Sequence, residues 1–167
     1  VTLIKSATLN DGRRKLAQIW NSAPQLAQIP TISPSLLVPP GSRVVVVAPH
    51  PGDEVLAYGG LLQLLSTLDY PLKLISVTDG SASHPGSNQW SAQRLSVFRP
   101  QESVEALRRL GLPLHSLKWI RGGFCDNALA GREQLLSQFI ARYLQPGDAV
   151  FTTWRNDGND DHDAVGR

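Results

Sequence analysis

The sequence of 167 residues contains no methionine and a single cysteine, Cys125. One cysteine excludes an internal disulfide, and a free thiol is compatible with the cytoplasm, where we expect the protein to be located. No segment approaches the roughly 20 consecutive apolar residues of a membrane-spanning helix, and the amino end lacks a signal-peptide pattern. We therefore expect no membrane span.

Neither sign of charge is in large excess. The chain has 16 Lys and Arg against 14 Asp and Glu, a formal net charge of +2, and its basic residues form no cluster longer than Arg13-Arg14 and Arg108-Arg109. A nucleic-acid-binding surface needs a basic patch. We expect a small or neutral substrate and no nucleic-acid partner.

The first 42 residues differ in pattern from the rest of the chain. Apolar residues at helical spacing predict an amphipathic helix over 11–27: Leu16, Ile19, Trp20 and Ala23. Residues 28–42 are rich in proline, which predicts an extended linker. The predicted organisation is therefore a helix and Pro-rich linker over 1–42, followed by one domain over 43–167, a length that suits a single core.

Beyond the linker, short apolar runs alternate with helical patterns. The predicted strands are 44–48, 72–77, 117–120 and 149–153, and the predicted helices are 54–67, 91–110 and 132–144. This alternation predicts an α/β fold, a Rossmann-like, doubly wound, mostly parallel sheet with helices on both faces. Pro100 predicts that the second helix starts near Gln101 and leaves Arg99 in the preceding turn.

Two of these predicted strands are followed by residues of the types that commonly bind metals. His50 and Asp53 follow the first strand in a turn stiffened by Pro49 and Pro51, and His162 follows the fourth strand. Parallel α/β sheets place their sites at the carboxyl ends of strands, so the three side chains can converge on one cation. A hydrolytic metal site is the first hypothesis.

These segments resemble the LmbE/PIG-L family of zinc-dependent N-deacetylases over roughly residues 43–167. The turn 49–54 is similar to the family's Pro-His-Pro-Asp-Asp-Glu signature, and the loop 158–162 is similar to its Gly-His-Pro-Asp-His signature. Further similarities lie between and beside these two motifs: Gly59-Gly60, Thr78-Asp79-Gly80, Arg99 with Glu102, and Asp126 followed by Leu129.

The resemblance implies a function and a set of site residues. It makes His50, Asp53 and His162 ligands of a catalytic Zn²⁺ that leaves one position open for water. The expected reaction is hydrolysis of an N-acetyl or other N-acyl group from an amino sugar, a glycoconjugate or a glycan-like metabolite. Arg99, Asp126 and Asn159 are expected to contact the substrate.

Two positions depart from the family pattern. Gly52 stands where the family has the Asp that resembles its general base, and Asn159 stands where it has the first His of the downstream loop. Asp161 is our candidate for a substitute base or for orienting His162, with Asp160 and Glu54 as alternatives. Without any replacement, the chain would be a catalytically impaired metal- or glycan-binding module.

Other interpretations compete with these. Asp157, Asn159 and Asp161 alternate as in a calcium loop, and Asp53 also suits a helix cap. The first turn lacks the Gly-x-Gly-x-x-Gly of nucleotide-binding folds. The polar loop 79–90 is a predicted pocket rim in which His84 is a candidate substrate contact. The family usually continues past Arg167, so we expect a truncated domain, and we expect a homo-oligomer or a further domain in a longer chain.

Overall fold

The computed structural model describes residues 28–167. Its elements in chain order are α1 (Pro34–Leu37), β1 (Val44–Ala48), α2 (Asp53–Thr67), β2 (Leu72–Thr78), α3 (Ala92–Arg109), β3 (Lys118–Phe124), α4 (Glu133–Ala141), β4 (Ala149–Thr152) and α5 (Asp160–Gly166). The four strands form one sheet in the order β3-β2-β1-β4, and all three strand pairs are parallel. The amphipathic helix predicted over 11–27 lies outside the described residues.

Alternate residues of β1 point to opposite faces of the sheet and into two separate cores. Val44 and Val46 pack with α2 and α3 on one face, whereas Val45 and Val47 pack with α4 and α5 on the other. Both faces are covered, so β1 is apolar throughout and every residue of β2 is buried, as expected of central parallel strands. The predicted doubly wound α/β fold is confirmed.

The helix α3 differs from its prediction because it begins at Ala92 and continues through Pro100. Proline removes the hydrogen bond that would reach the carbonyl four residues earlier, which is that of Ser96. Arg121 donates to this carbonyl from β3 at 3.4 Å, so the helix loses no acceptor partner there. Arg99 therefore lies inside the helix and not in a preceding turn, which corrects the prediction.

The end of β3 is shifted by one residue relative to β2. Ser76 pairs with Arg121, but Thr78 pairs with Phe124, so two steps along β2 match three along β3. A Cβ at Gly122 would lie 2.7 Å from the carbonyl oxygen of Val77, so only glycine fits this bulge. The bulge lies just before the loop that carries Asp126.

One helical turn lies within the described part of the predicted linker. Pro34–Leu37 forms one helical turn, and Val38 is fully buried in the core beside α2. The tyrosine hydroxyl of Tyr70 donates to the carbonyl of Val38 at 3.0 Å. Val38 therefore anchors this segment to the core, while most of its other side chains are exposed. Among residues 28–167, no helix is long and apolar enough to cross a membrane.

Candidate metal centre

The site lies where the strand order reverses. From β1 the chain moves to β2 on one side, and it returns to β4 on the other side of β1. The loops leaving β1 and β4 diverge from this point and form a crevice at the carboxyl edge of the sheet. The first loop carries His50 and leads into α2 at Asp53, and the second carries His162 in the first turn of α5.

The three expected ligands are brought together in the structure. The Asp53 Oδ2 atom lies 3.3 Å from His50 Nδ1 and 3.3 Å from His162 Nε2. Four ligands at about 2.0–2.1 Å from a zinc ion stand roughly 3.3–3.4 Å apart at the corners of a tetrahedron. The donor set and its spacing therefore fit a zinc-like cation, and a fourth position is left for another ligand.

The far nitrogen of His50 faces two carboxylates. Its Nε2 lies 3.0 Å from Asp126 Oδ1 and 3.1 Å from Asp161 Oδ2. Burial lowers the pKa of His50, but hydrogen bonds and charge from Asp53, Asp161 and Asp126 outweigh it, so this pKa is raised. A carboxylate behind a metal-binding imidazole fixes the ring's orientation and tautomer.

The side chain of Asp161 contacts a different histidine from the one that we predicted. Its side chain is 1% exposed, and its two oxygens accept the backbone N–H groups of Asn127 at 2.8 Å and Leu129 at 2.9 Å. The structure thus directs Asp161 at His50 and not at His162. A role for it as base is a prediction that geometry does not favour, since both oxygens already accept hydrogen bonds.

The partner of His162 is Asp157, a role that sequence reasoning missed. Asp157 Oδ2 lies 2.7 Å from His162 Nδ1. The carboxylates of Asp157 and Asp161 face different histidines, while Asn159 caps α5 by accepting N–H bonds from residues 161 and 162. The three side chains of the calcium interpretation therefore have different partners in the structure. The sequence did contain a signal for this role, since Asp157 is an acidic residue in the same loop as the ligand His162.

The position that resembles the family's base has a distinctive backbone. Gly52 has φ of +105° and precedes α2, and a Cβ there would meet nothing within 4 Å. Its N–H donates to Glu54 Oε2 at 3.0 Å. Burial raises the pKa of Glu54, whose side chain is fully buried. Glu54 therefore supports the turn from inside, and Asp160 remains exposed at the start of α5.

Arg99 and Asp126 hold loops of the site together. Arg99 donates to the carbonyl of Gly80 at 3.1 Å and to that of Pro51 at 2.7 Å, which connects the loop after β2 to the turn after β1. Asp126 is 4% exposed and accepts the N–H of Ala82 at 2.6 Å while it contacts His50. Their expected contacts with substrate stay predictions, and both side chains have structural partners.

Comparisons with known proteins identify a family. A family model described as PIG-L, GlcNAc-PI de-N-acetylase, matches residues 45–167. No curated protein gives a significant match. Among solved structures, the conserved protein TT1542 from Thermus thermophilus is 28% identical with a TM-score of 0.56, covering 75% of this chain and 52% of that one.

Two further structures share the fold at lower identity. The N,N'-diacetylchitobiose deacetylase from Pyrococcus horikoshii is 20% identical with a TM-score of 0.64, covering 92% of this chain and 55% of that one. GalB, the 4-carboxy-2-hydroxymuconate hydratase from Pseudomonas putida, is 17% identical with a TM-score of 0.57, covering 74% and 54%.

The chain spans about half the length of these solved structures. The family match, in contrast, extends over most of the sequence and includes both signature loops, with His50, Asp53 and His162 inside it. On that match, the chain belongs to the PIG-L family of GlcNAc-PI de-N-acetylases.

Proposed function

We propose that this chain is a metal-dependent hydrolase that removes an N-acetyl group from an amino sugar or a glycoconjugate. The observation that carries the proposal is the convergence of His50, Asp53 and His162, whose ligand atoms all lie within 4.8 Å of one another. Membership of a deacetylase family supports the reaction class. The cation that suits two imidazoles and one carboxylate is Zn²⁺.

The chain's own residues would hold the cation and orient its ligands. When bound, zinc supplies Lewis-acid polarisation of an amide carbonyl and lowers the pKa of water. Asp126 and Asp161 fix the imidazole of His50, and Asp157 fixes that of His162. These carboxylates hold the far nitrogen of each imidazole and aim the other nitrogen into the crevice, so the orientation of the ligands is set before the cation arrives.

Asn159 would polarise the carbonyl of the substrate through its side-chain amide. Its amide oxygen is occupied by the N–H groups of Asp161 and His162. The amide nitrogen of the same side chain is a donor, and a donor near a tetrahedral oxyanion stabilises the developing charge. Arg99 would position the surrounding loops through the carbonyls of Gly80 and Pro51.

Turnover should be slow because Gly52 supplies no carboxylate. General-base assistance is typically worth about 10²–10⁴ in rate. Asp161 stays our named candidate for a replacement base, although its buried oxygens favour a positioning role. The competing function, a metal- or glycan-binding module without activity, rests on the same glycine. The fold alone does not decide, since a hydratase shares it.

The decisive experiment measures metal content and deacetylation on the same preparations. Protein purified without chelator should carry one equivalent of zinc, and His50→Ala and His162→Ala should carry almost none. Acetate release from N-acetylglucosamine conjugates should follow the zinc content. His115→Ala is the matched control, since His115 is exposed and far from the ligand set in sequence.

Each outcome has a distinct meaning. Equal zinc in all four proteins would overturn the ligand assignment. Stoichiometric zinc without acetate release would favour the binding module. We further propose a cytoplasmic location and a small-molecule substrate. A homo-oligomer is a prediction that sedimentation analysis would test.

A further inference from the structure

The three candidate ligands come from parts of the chain that are far apart in sequence. His50 and Asp53 share one turn that is fixed locally. The N–H of His50 donates to Asp53 Oδ2 at 2.9 Å, and the N–H of Asp53 donates to the carbonyl of His50 at 3.3 Å. His162 reaches this turn from the helix after β4. Contacts between elements must therefore set the 3.3 Å separation of Asp53 Oδ2 and His162 Nε2.

The strand that precedes His162 lies at the edge of the sheet. Among residues 28–167, β4 pairs with β1 alone, so backbone hydrogen bonds hold it on one side. A side chain adds to this pairing at the end of the strand. Thr152 Oγ1 donates to the carbonyl of Val47 at 3.0 Å, which ties the last residue of β4 to the strand that leads to His50.

Tyr58 ties the same end of β4 to α2. Its hydroxyl donates to the carbonyl of Thr152, and its ring packs against Phe151 with the centroids 5.8 Å apart. Tyr58 lies in the second turn of α2, the helix that begins with the ligand Asp53. The hydroxyl thus joins the helix that carries one ligand to the strand that leads to another.

Thr153 continues this connection from β4 to the third ligand. Its Oγ1 donates to the carbonyl of His162 at 2.9 Å, which closes the base of the loop between β4 and α5. Other contacts hold different parts of α5: Ala164 and Val165 pack into the core, and Asp161 binds the loop after β3. The Thr153 hydroxyl connects β4 to the backbone of the ligand residue itself.

We propose that Tyr58 and Thr153 are positioning residues of the metal centre, because their hydroxyls hold the end of β4 between α2 and α5. Neither side chain is a ligand. They act by fixing the distance of His162 from Asp53, and a binding site must hold its groups to within about 0.5 Å. Asp157 acts differently, since it lies in the same loop as His162 and sets the orientation of the ring. The inference rests on the metal centre of the proposed function and not on the reaction.

The test is a titration of the chelator-treated full chain with Co²⁺. This ion reports the affinity and also the coordination geometry, because tetrahedral Co²⁺ absorbs visible light more strongly than Co²⁺ with more ligands. One hydrogen bond is typically worth about two- to tenfold in an equilibrium constant. We expect Tyr58→Phe and Thr153→Val each to weaken Co²⁺ binding by about that factor and to change the visible spectrum. Thr153→Ser keeps the hydroxyl and should restore the affinity and spectrum of the parent.

Tyr70→Phe is the matched control, since it also removes a tyrosine hydroxyl that donates to a backbone carbonyl. This hydroxyl donates to Val38 at 3.0 Å, and Tyr70 lies just before β2, at the opposite edge of the sheet. The control should lower the melting temperature of the metal-free protein about as much as Tyr58→Phe does, and should leave Co²⁺ binding unchanged. Because the two proposed bonds act in series through β4, combining Tyr58→Phe with Thr153→Val should weaken binding little more than one change alone.

The outcomes separate the positioning role from the metal centre. Parent affinity and spectrum in both Tyr58→Phe and Thr153→Val, or an equal loss in Tyr70→Phe, would overturn the positioning role and leave the ligands in place. Losses that add in full in the double variant would overturn it as well. Equal Co²⁺ binding by the parent and His162→Ala would overturn the metal centre and the positioning role with it. Loss of acetate release alone would count against the deacetylase only.

Discussion

Gly52 is the residue at which the absence of a carboxylate should limit activity. A carboxylate restored there by Gly52→Asp should raise acetate release by about tenfold or more, because a positioned base is typically worth about 10²–10⁴. The backbone opposes this gain: φ of +105° is costly for any residue with a Cβ, so the variant should lose about 1–2 kcal/mol of stability. The measurement pairs turnover with thermal unfolding.

The control for that prediction is Gly52→Ala, which imposes the same backbone strain without a carboxylate. Both variants should melt at a lower temperature than the parent, and only Gly52→Asp should turn over faster. If the two variants have equal activity, the missing carboxylate does not limit the reaction. A parent activity that survives Asp161→Asn would then exclude Asp161 as a relocated base.

Asp157 should matter through zinc affinity. Its carboxylate lies 2.7 Å from the Nδ1 atom of His162, and partners of this kind are typically worth about 10–100-fold in metal affinity. We expect Asp157→Ala to weaken zinc binding by about that factor in a competition titration with a chromophoric chelator. Asp160→Ala removes a neighbouring charge and should change the affinity much less; an equal loss in both would reduce the effect to charge alone.

The strands and helices were predictable because their signals are local. The apolar runs over 44–48 and 72–77 and the turn residues after them identify buried parallel strands, and the structure reproduces the first strand without change. The continuation of α3 through Pro100 was not predictable in this way. The carbonyl of Ser96, which Pro100 leaves without its helical donor, accepts from Arg121 in another element.

The roles of the acidic residues were harder to predict for the same reason. The ligands His50, Asp53 and His162 could be expected from short motifs at strand ends. The direction of the Asp161 side chain is set by N–H groups of residues 127 and 129, over 30 positions away, and no local pattern encodes that contact. Asp126 likewise faces His50 only because β3 lies in the same sheet.

The starts of β1 and β4 are joined by a partly buried ion pair that sets a prediction for stability. Arg43 donates to both oxygens of Asp148, at 3.0 and 2.6 Å, and the Asp148 side chain is 5% exposed. These bonds hold the pKa of Asp148 below its usual range. Asp148→Asn should therefore cost about 1.5–3 kcal/mol at pH 7, the range of hydrogen bonds to charged groups.

The pH dependence follows from the direction of that shift. A lowered pKa in the folded state means that the ionised carboxylate stabilises the fold above its ordinary value of 3.8, and that this contribution is lost as pH falls through the folded pKa. Urea unfolding should show the difference between parent and Asp148→Asn shrinking as the pH falls below that ordinary value. Glu105→Gln, in an exposed ion pair that solvent screens, should change stability much less at pH 7.

At the scale of the whole molecule, the candidate ligands join the turn after β1 to the helix after β4. A cation bound only by the folded state adds about 2.7 kcal/mol at a free concentration of 100 times its dissociation constant. We expect zinc to raise the melting temperature of the parent and of His115→Ala, but not of His162→Ala. Equal stabilisation of all three would place the cation elsewhere.

The extra residue in β3 makes length, and not only side-chain identity, a property that this edge of the sheet must keep. Phe124 packs against Phe139 in the core, and Asp126 reaches His50 two positions later. Loss of a single codon at Gly122 or Gly123 would move Phe124 and Asp126 by one position. In a strand, such a shift exchanges the residues that face inward with those that face outward. In an alignment of relatives, a one-residue gap at this point should therefore coincide with changes at 126, and should never occur alone.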